Sequence, residues 1–216
     1  MSARIQVALS AREKKESFEI RHRVYCEEQG WEPTAADQIE SDSYDFYASH
    51  VVLRRADSTA LGSVRLVPAN TSAVFVVLPI ERCFGLSLTK IFPNQTLPDR
   101  TRIAEVSRLA VLPEYRRMLN QPEPTAESAF PESMRFYAVQ LFLGALAAAH
   151  KQGVHTLVML MEPKLFRYLR ALGFRHSFAG EAVDHHGLRV PIIAQVEAVM
   201  QSLPPALASE FKRIAG

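Results

Sequence analysis

The run Ala104-Glu105-Val106-Ser107-Arg108-Leu109-Ala110-Val111 sets two charges into an otherwise apolar stretch. A strand that is apolar on both faces belongs in the middle of a sheet, covered on both sides. Side chains alternate along a strand, so Glu105 and Ser107 are expected on one face with Leu109 and Val111. Arg108 is expected on the other face, with Val106 and Ala110. A charge taken out of water is costly unless another group pairs with it or chemistry uses it. Such a strand fits a structural ion pair or an active site, and either one fixes the centre of the fold.

Composition narrows the rest. The 216 residues are 48% hydrophobic, enough for one real core, so a single domain over residues 1–216 is expected. Net charge is only +2, and basic pairs such as Lys14-Lys15 and Arg54-Arg55 are short and scattered. No nucleic-acid partner is expected, because such proteins concentrate basic charge in a stripe. Cys26 and Cys83 have no metal-ligand spacing to each other or to a histidine, and His185-His186 lacks a third ligand, so no metal is expected. Residues 1–4 lack the apolar core of a signal peptide, and the apolar run 139–149 is too short to span a membrane. A cytoplasmic protein is expected.

Along the chain, residues 5–9 read as a short strand. Ser10-Ala11-Arg12-Glu13 has the form of a capping box, and the helix it opens should run to about Gln29 and stop at Gly30. Phe18, Arg21, Tyr25 and Glu28 follow 3- and 4-residue steps, which places them on one stripe. Residues 31–44 are a polar, acidic loop. Residues 48–55 and 61–67 form a hairpin, and 68–102 hold short helices or turns. Residues 113–131, with four prolines, read as a loop of the kind that often forms lids. A helix to about Gln152 is apolar nearly all round and therefore interior. Strand 156–161, a helix opened by Pro163, strands 174–178 and 190–194, and a helix over 206–214 complete the chain. This order suits an α/β fold of three layers with a mixed sheet.

Four groups occur in an order and spacing that resembles the acyl-homoserine-lactone (autoinducer) synthases. They are Arg21/Tyr25/Trp31, Asp42-Ser43-Tyr44-Asp45, Gly62-Ser63-Val64-Arg65-Leu66-Val67-Pro68 and Glu105-Val106-Ser107-Arg108. The resemblance covers residues 18–112 well and continues more weakly to about Phe174. The stretches 21–28 and 112–117 look more like the long-chain N-acyl amino acid synthases and the acyltransferases associated with exosortase and PEP-CTERM sorting. All are GNAT-like acyltransferases. The resemblance therefore implies a three-layer α-β-α GNAT-like fold with a central mixed, mainly antiparallel sheet.

It also implies transfer of a fatty acyl group from a thioester to the amine of an amino acid or related metabolite. The alternatives are lactone synthesis from S-adenosylmethionine and a non-catalytic binding module of the same fold. Glu105 is the candidate proton acceptor, and Ser107 could help protonate the leaving thiolate. Arg21, Trp31, Asp42, Asp45, Arg65 and Arg108 are the candidate substrate-binding residues. Leu109, Ala110 and Val111, with Leu112, would offer backbone N–H groups to the pantetheine arm and the oxyanion. No tightly bound cofactor is implied; the acyl-phosphopantetheine thioester is a co-substrate. Residues 114–120 contain no glycine, which disfavours a backbone nest for the pyrophosphate of coenzyme A and favours acyl carrier protein. Carrier proteins are acidic, so Arg116, Arg117 and Lys151 are candidate docking charges.

Overall fold

The computed structural model describes residues 4–70, 76–117, 134–178 and 180–216, with the side chains of residues 116, 117, 134–136 and 178 outside that set. The strands form one eight-stranded sheet in the order β1-β2-β3-β4-β5-β8-β6, with β7 paired to β8. The strands are β1 (Arg4–Val7), β2 (Ser49–Arg54), β3 (Ala60–Pro68), β4 (Ile103–Val111), β5 (Thr156–Met161), β6 (Ser177–Phe178), β7 (Val183–Asp184) and β8 (Leu188–Gln195). The chain divides into two compact units, and β3 and β4 each run through both.

The first unit holds Met1–Asp45, Ser49–Arg65 and Arg108–Ala145. β1 lies antiparallel on β2, with Ile5 opposite Leu53 and Val7 opposite Val51. The capping box forms as the sequence predicts. Ser10 Oγ accepts from the Glu13 N–H, and the Glu13 carboxylate accepts from the Ser10 N–H at 2.9 Å. Helix α1 (Ala11–Arg21) then opens into a π-helix over His22–Glu28, where the Gln29 N–H reaches back five residues to the Val24 carbonyl. The wider turn replaces the uniform 3- and 4-residue stripe expected from sequence. Gly30 ends it at φ +64°, a value natural to glycine. Ile20 and Val24 pack with Val52, Ala110 and Leu112 in one buried cluster.

Two glycines of this unit mark close approaches. A Cβ on Gly62 would lie 2.5 Å from the Ala110 carbonyl oxygen. On Gly144 it would lie 2.7 Å from both Ile5 and Val51, which seats helix α5 (Met134–Lys151) tightly against β1 and β2. α5 is buried without interruption from Ala138 to Ala149, as its all-round apolarity predicts.

The second unit holds Phe46–Ala48, Leu66–Ser107 and Leu146–Gly216. β5 is antiparallel to β8 from Thr156–Gln195 to Met161–Val190. The pair β4–β5 is parallel. Residues 76–102, difficult to place from sequence, hold α2 (Pro79–Phe84), α3 (Leu88–Ile91) and a 3-10 turn. One buried carboxylate organises them. Glu81 accepts from the N–H groups of Leu78 and Leu88 at 3.0 Å and from both terminal nitrogens of Arg100. Burial would raise its carboxyl, but Arg100 and the two N–H donors prevail and lower it.

Residues 113–117, expected as loop, form the short helix α4 (Pro113–Arg117); the remainder of the proline-rich stretch lies outside the described residues. After β5 come α6 (Pro163–Ala171), α7 (Val196–Ser202) and α8 (Pro205–Ala215). Sequence periodicity missed α7, a single short stretch directly continuous with β8. No helix among the described residues is long and apolar enough to cross a membrane.

Candidate active site

In the first unit, the charged residues of the motif meet. Arg21, fully buried at the end of α1, donates to both oxygens of Asp45 at 2.8 and 3.0 Å and to Glu40. Arg65, on β3, donates through one nitrogen to Asp45 at 3.0 Å and Asp42 at 2.6 Å. Arg108 approaches Glu32 at 3.0 Å, Glu40 at 3.3 Å and Asp42 at 3.6 Å. Three arginines thus meet four carboxylates. The guanidinium forks match carboxylates two oxygens at a time, which is why arginine rather than lysine suits these positions.

The short turn Ser43–Phe46 holds the acids in place. Asp45 accepts from the Asp42 N–H at 2.8 Å, and Asp42 accepts from the Tyr44 N–H at 2.9 Å. Burial would raise the Asp45 carboxyl, but the Arg21 hydrogen bonds and the charges of Arg21 and Arg65 outweigh it and hold it at about 2. For Arg21, burial would favour the neutral form; its bonds to Asp45 and Glu40 win and raise it further.

His50 lies behind this network. Its Nε2 is 3.5 Å from Asp45 Oδ1, and its Nδ1 is 3.3 Å from the Ser17 hydroxyl. Burial, helped by the charges of Arg21 and Arg65 and opposed by Asp45, takes the imidazole down to about 4, so it is neutral at pH 7.

Aromatic residues border Arg108. Its guanidinium lies 5.6 Å from the Tyr25 ring centroid, and Tyr25 stacks on Trp31 at 5.8 Å and 20°. The Tyr25 hydroxyl donates to the Leu109 carbonyl at 2.9 Å, and burial pushes it up to about 12.

Arg108 has φ +53°, the left-handed region that side-chain-bearing residues seldom occupy. This kink ends the strict alternation expected along β4. Ala110 and Val111 are both buried, whereas Ser107, Arg108 and Leu109 are partly exposed in a strand otherwise buried from Ile103 onward. The parallel register with β5 runs from Ile103–Thr156 to Val106–Met159. Leu112, expected among the free donors, gives its N–H to the Leu61 carbonyl at 2.9 Å. Backbone directions alternate, so the N–H groups of Leu109 and Val111 point to the edge of β4 away from β3.

Within the second unit, Glu105 is buried and accepts the Ile80 N–H at 2.8 Å, at the start of α2. Cys83, on the same helix, is raised by burial and by the charge of Glu105. Asp42 and Asp45 are among the partners of Arg65, and Glu40 and Asp45 are partners of Arg21. Glu32 and Glu40 were not singled out from sequence. Their one signal was membership of the acidic segment that also carries Asp42 and Asp45. The side chains of Arg116 and Arg117 lie outside the described set, and Lys151 is exposed.

Residues 20–121 match the acetyltransferase (GNAT) domain. The chain has a GNAT-like fold. It is 27% identical over 172 residues to an acyl-homoserine-lactone synthase of Acinetobacter nosocomialis, covering 77% of this chain and 82% of that one. Its fold is similar to that of BjaI, a CoA-dependent acyl-homoserine lactone synthase solved with SAM and isopentyl-CoA. The TM-score is 0.68 at 18% identity, over 99% of this chain and 90% of that one. It is similar also to FeeM, an N-acyl amino acid synthase from uncultured soil microbes, with TM-score 0.60 at 16% identity over 96% and 98% of the two chains.

Proposed function

We propose that this protein moves a fatty acyl group from an acyl carrier protein thioester to the amine of an amino acid or related metabolite. One observation carries the reading: along β4 a buried carboxylate, Glu105, is followed by three partly exposed residues and a left-handed backbone at Arg108. In this reading Glu105 takes a proton from the acceptor ammonium, directly or through one water. The freed nitrogen attacks the thioester carbonyl carbon. The carbonyl oxygen becomes an oxyanion facing the N–H groups of the Leu109–Val111 stretch, a task that falls to Leu109 and Val111 by their direction. The carbon–sulfur bond then breaks, the nitrogen releases its second proton to solvent as the amide forms, and the thiolate takes a proton from solvent through the Ser107 hydroxyl.

A second reading, lactone synthesis from S-adenosylmethionine, has its own support. The three arginines are matched by protein acids, and four carboxylates against three guanidiniums leave negative charge in surplus. Glu32 and Asp42 are the partly exposed acids of the set, at 30% and 27%, against 5% for Asp45. A cationic acceptor suits that balance better than one whose carboxylate needs an unmatched arginine.

The test pairs acyl carrier protein and coenzyme A thioesters of several chain lengths with amino acids, amines and S-adenosylmethionine, and detects products by mass spectrometry. An N-acyl amino acid formed from carrier-bound donor is the expected product. A lactone formed only with S-adenosylmethionine selects the second reading. Folded protein yielding no acylated amine from any pair overturns both.

A further inference from the structure

We propose that a groove in the second unit, apart from the residues assigned to acyl transfer, binds a phosphorylated small molecule. The cavity is about 680 Å³, within the range of small-molecule sites, and lies among the end of α6, the turn after it, β6, the end of β8 and α7. Gln195 closes β8 opposite Thr156, the first residue of β5. Among the described residues, none of those assigned to acyl transfer lines the groove.

The groove offers donors and no acid. Arg170 and Arg175 both line it, and among the described residues no Asp or Glu does. Among the described residues neither guanidinium has a carboxylate partner. Elsewhere in the chain Arg21, Arg54, Arg65, Arg100 and Arg108 are each ion-paired. Gln195 adds to the donor set: its amide oxygen accepts the Thr156 hydroxyl at 2.9 Å, which leaves its NH₂ to the groove.

The backbone that carries these donors is tied down. Arg170 lies over the Phe166 ring at 5.6 Å, one turn earlier on α6. Gly173, at φ +90°, turns the chain sharply out of that helix. His176 then ties the turn back: its Nδ1 is 2.8 Å from the Phe174 carbonyl oxygen and its Nε2 is 3.2 Å from that of Phe166. Its ring stands edge-on to Phe166 at 4.8 Å. The imidazole is thus spent on positioning, and Arg175, next to it, is anchored through its own N–H to the Ser202 hydroxyl at 3.1 Å. Two guanidiniums lining one groove without a counter-charge there suit a dianionic phosphate, which each can grip through two oxygens.

The experiment is isothermal titration of the full chain with sodium pyrophosphate and with orthophosphate, at ionic strength held constant with sodium chloride. Saturable one-to-one binding of pyrophosphate is expected. Arg170→Gln and Arg175→Gln should each weaken it about tenfold. Ser177→Glu, which places a carboxylate in the groove from the exposed strand β6, should abolish it. Melting curves of the unliganded variants check that each is folded, and Glu105→Gln should bind as the wild type does. Heat that tracks ionic strength alone, or binding untouched by all three groove substitutions, overturns the proposal. So does preference for a polyglutamate peptide over pyrophosphate, which would make the groove a protein-docking surface. Acyl transfer is not measured, so failure of that reading leaves this test intact.

Discussion

Glu105 and Asp45 are both buried acids, yet their neighbours give them different work. The Glu105 carboxylate takes a backbone N–H from Ile80, and Asp45 is gripped by two arginines. Glu105→Gln keeps the shape and the ability to accept that N–H while removing the proton acceptor. We expect kcat to fall by about 10²–10⁴ in a variant that still folds, as checked by its melting curve. A variant that retains wild-type turnover would return Glu105 to a purely structural role. Asp45→Asn has the opposite signature. It leaves Arg21 buried with half its neutralising charge gone, and urea unfolding should show a loss of about 3 kcal/mol. Asp45 is also an acid depressed on folding, to about 2, so its contribution is present above the ordinary carboxyl value near 4. That contribution disappears as pH falls from there toward 2, and the Asn variant should lack this acid-dependent component.

Among the elements, β3 and β4 illustrate how a motif's spacing acquires a cause. The glycine of Gly62-Ser63-Val64-Arg65 is there because β4 passes so near that a Cβ would sit 2.5 Å from the Ala110 carbonyl. Gly62→Ala must push β4 away or bend it. Overpacking of this kind costs about 1–3 kcal/mol, and here it falls on the strand that carries Arg108. Chemical denaturation should register that cost, with turnover falling more than stability alone explains; an unperturbed variant would mean that β4 has room to move. The same strand shows why alternation misled. A single left-handed residue at Arg108 shifts the pattern of everything after it, and period-two reasoning has no access to one aberrant φ. The π-helix over His22–Glu28 is the helical counterpart: helical spacing was legible, the wider turn was not.

For the molecule as a whole, stability should depend on pH through His50. A histidine whose folded value is depressed to about 4 is protonated more readily in the unfolded chain, where it titrates near 6.5. Unfolded protein then binds more protons, so stability rises with pH across that window and is lost as pH falls from about 6.5 to about 4. The full difference corresponds to roughly 3 kcal/mol, and His50→Gln should flatten the profile of urea midpoints by that much between pH 7 and 4. A variant with the wild-type slope would exclude His50 as its source.

The sequence alone settled what local rules encode. The capping box at Ser10 and Glu13, the stop at Gly30, the buried helix through residues 138–149 and the hairpin before Arg65 all follow from periodicity, propensity and turn chemistry between near neighbours. It also named most of the charged residues that converge, through their order. Tertiary structure decided the partners: Arg21 with Glu40 and Asp45, Arg65 with both aspartates, Arg108 with Glu32 and Glu40. It alone fixed the kink at Arg108. The reason is one of range. Helix caps and apolar stripes are satisfied within a few residues, but a buried charge finds its partner across tens of positions, and only the folded chain brings those positions together.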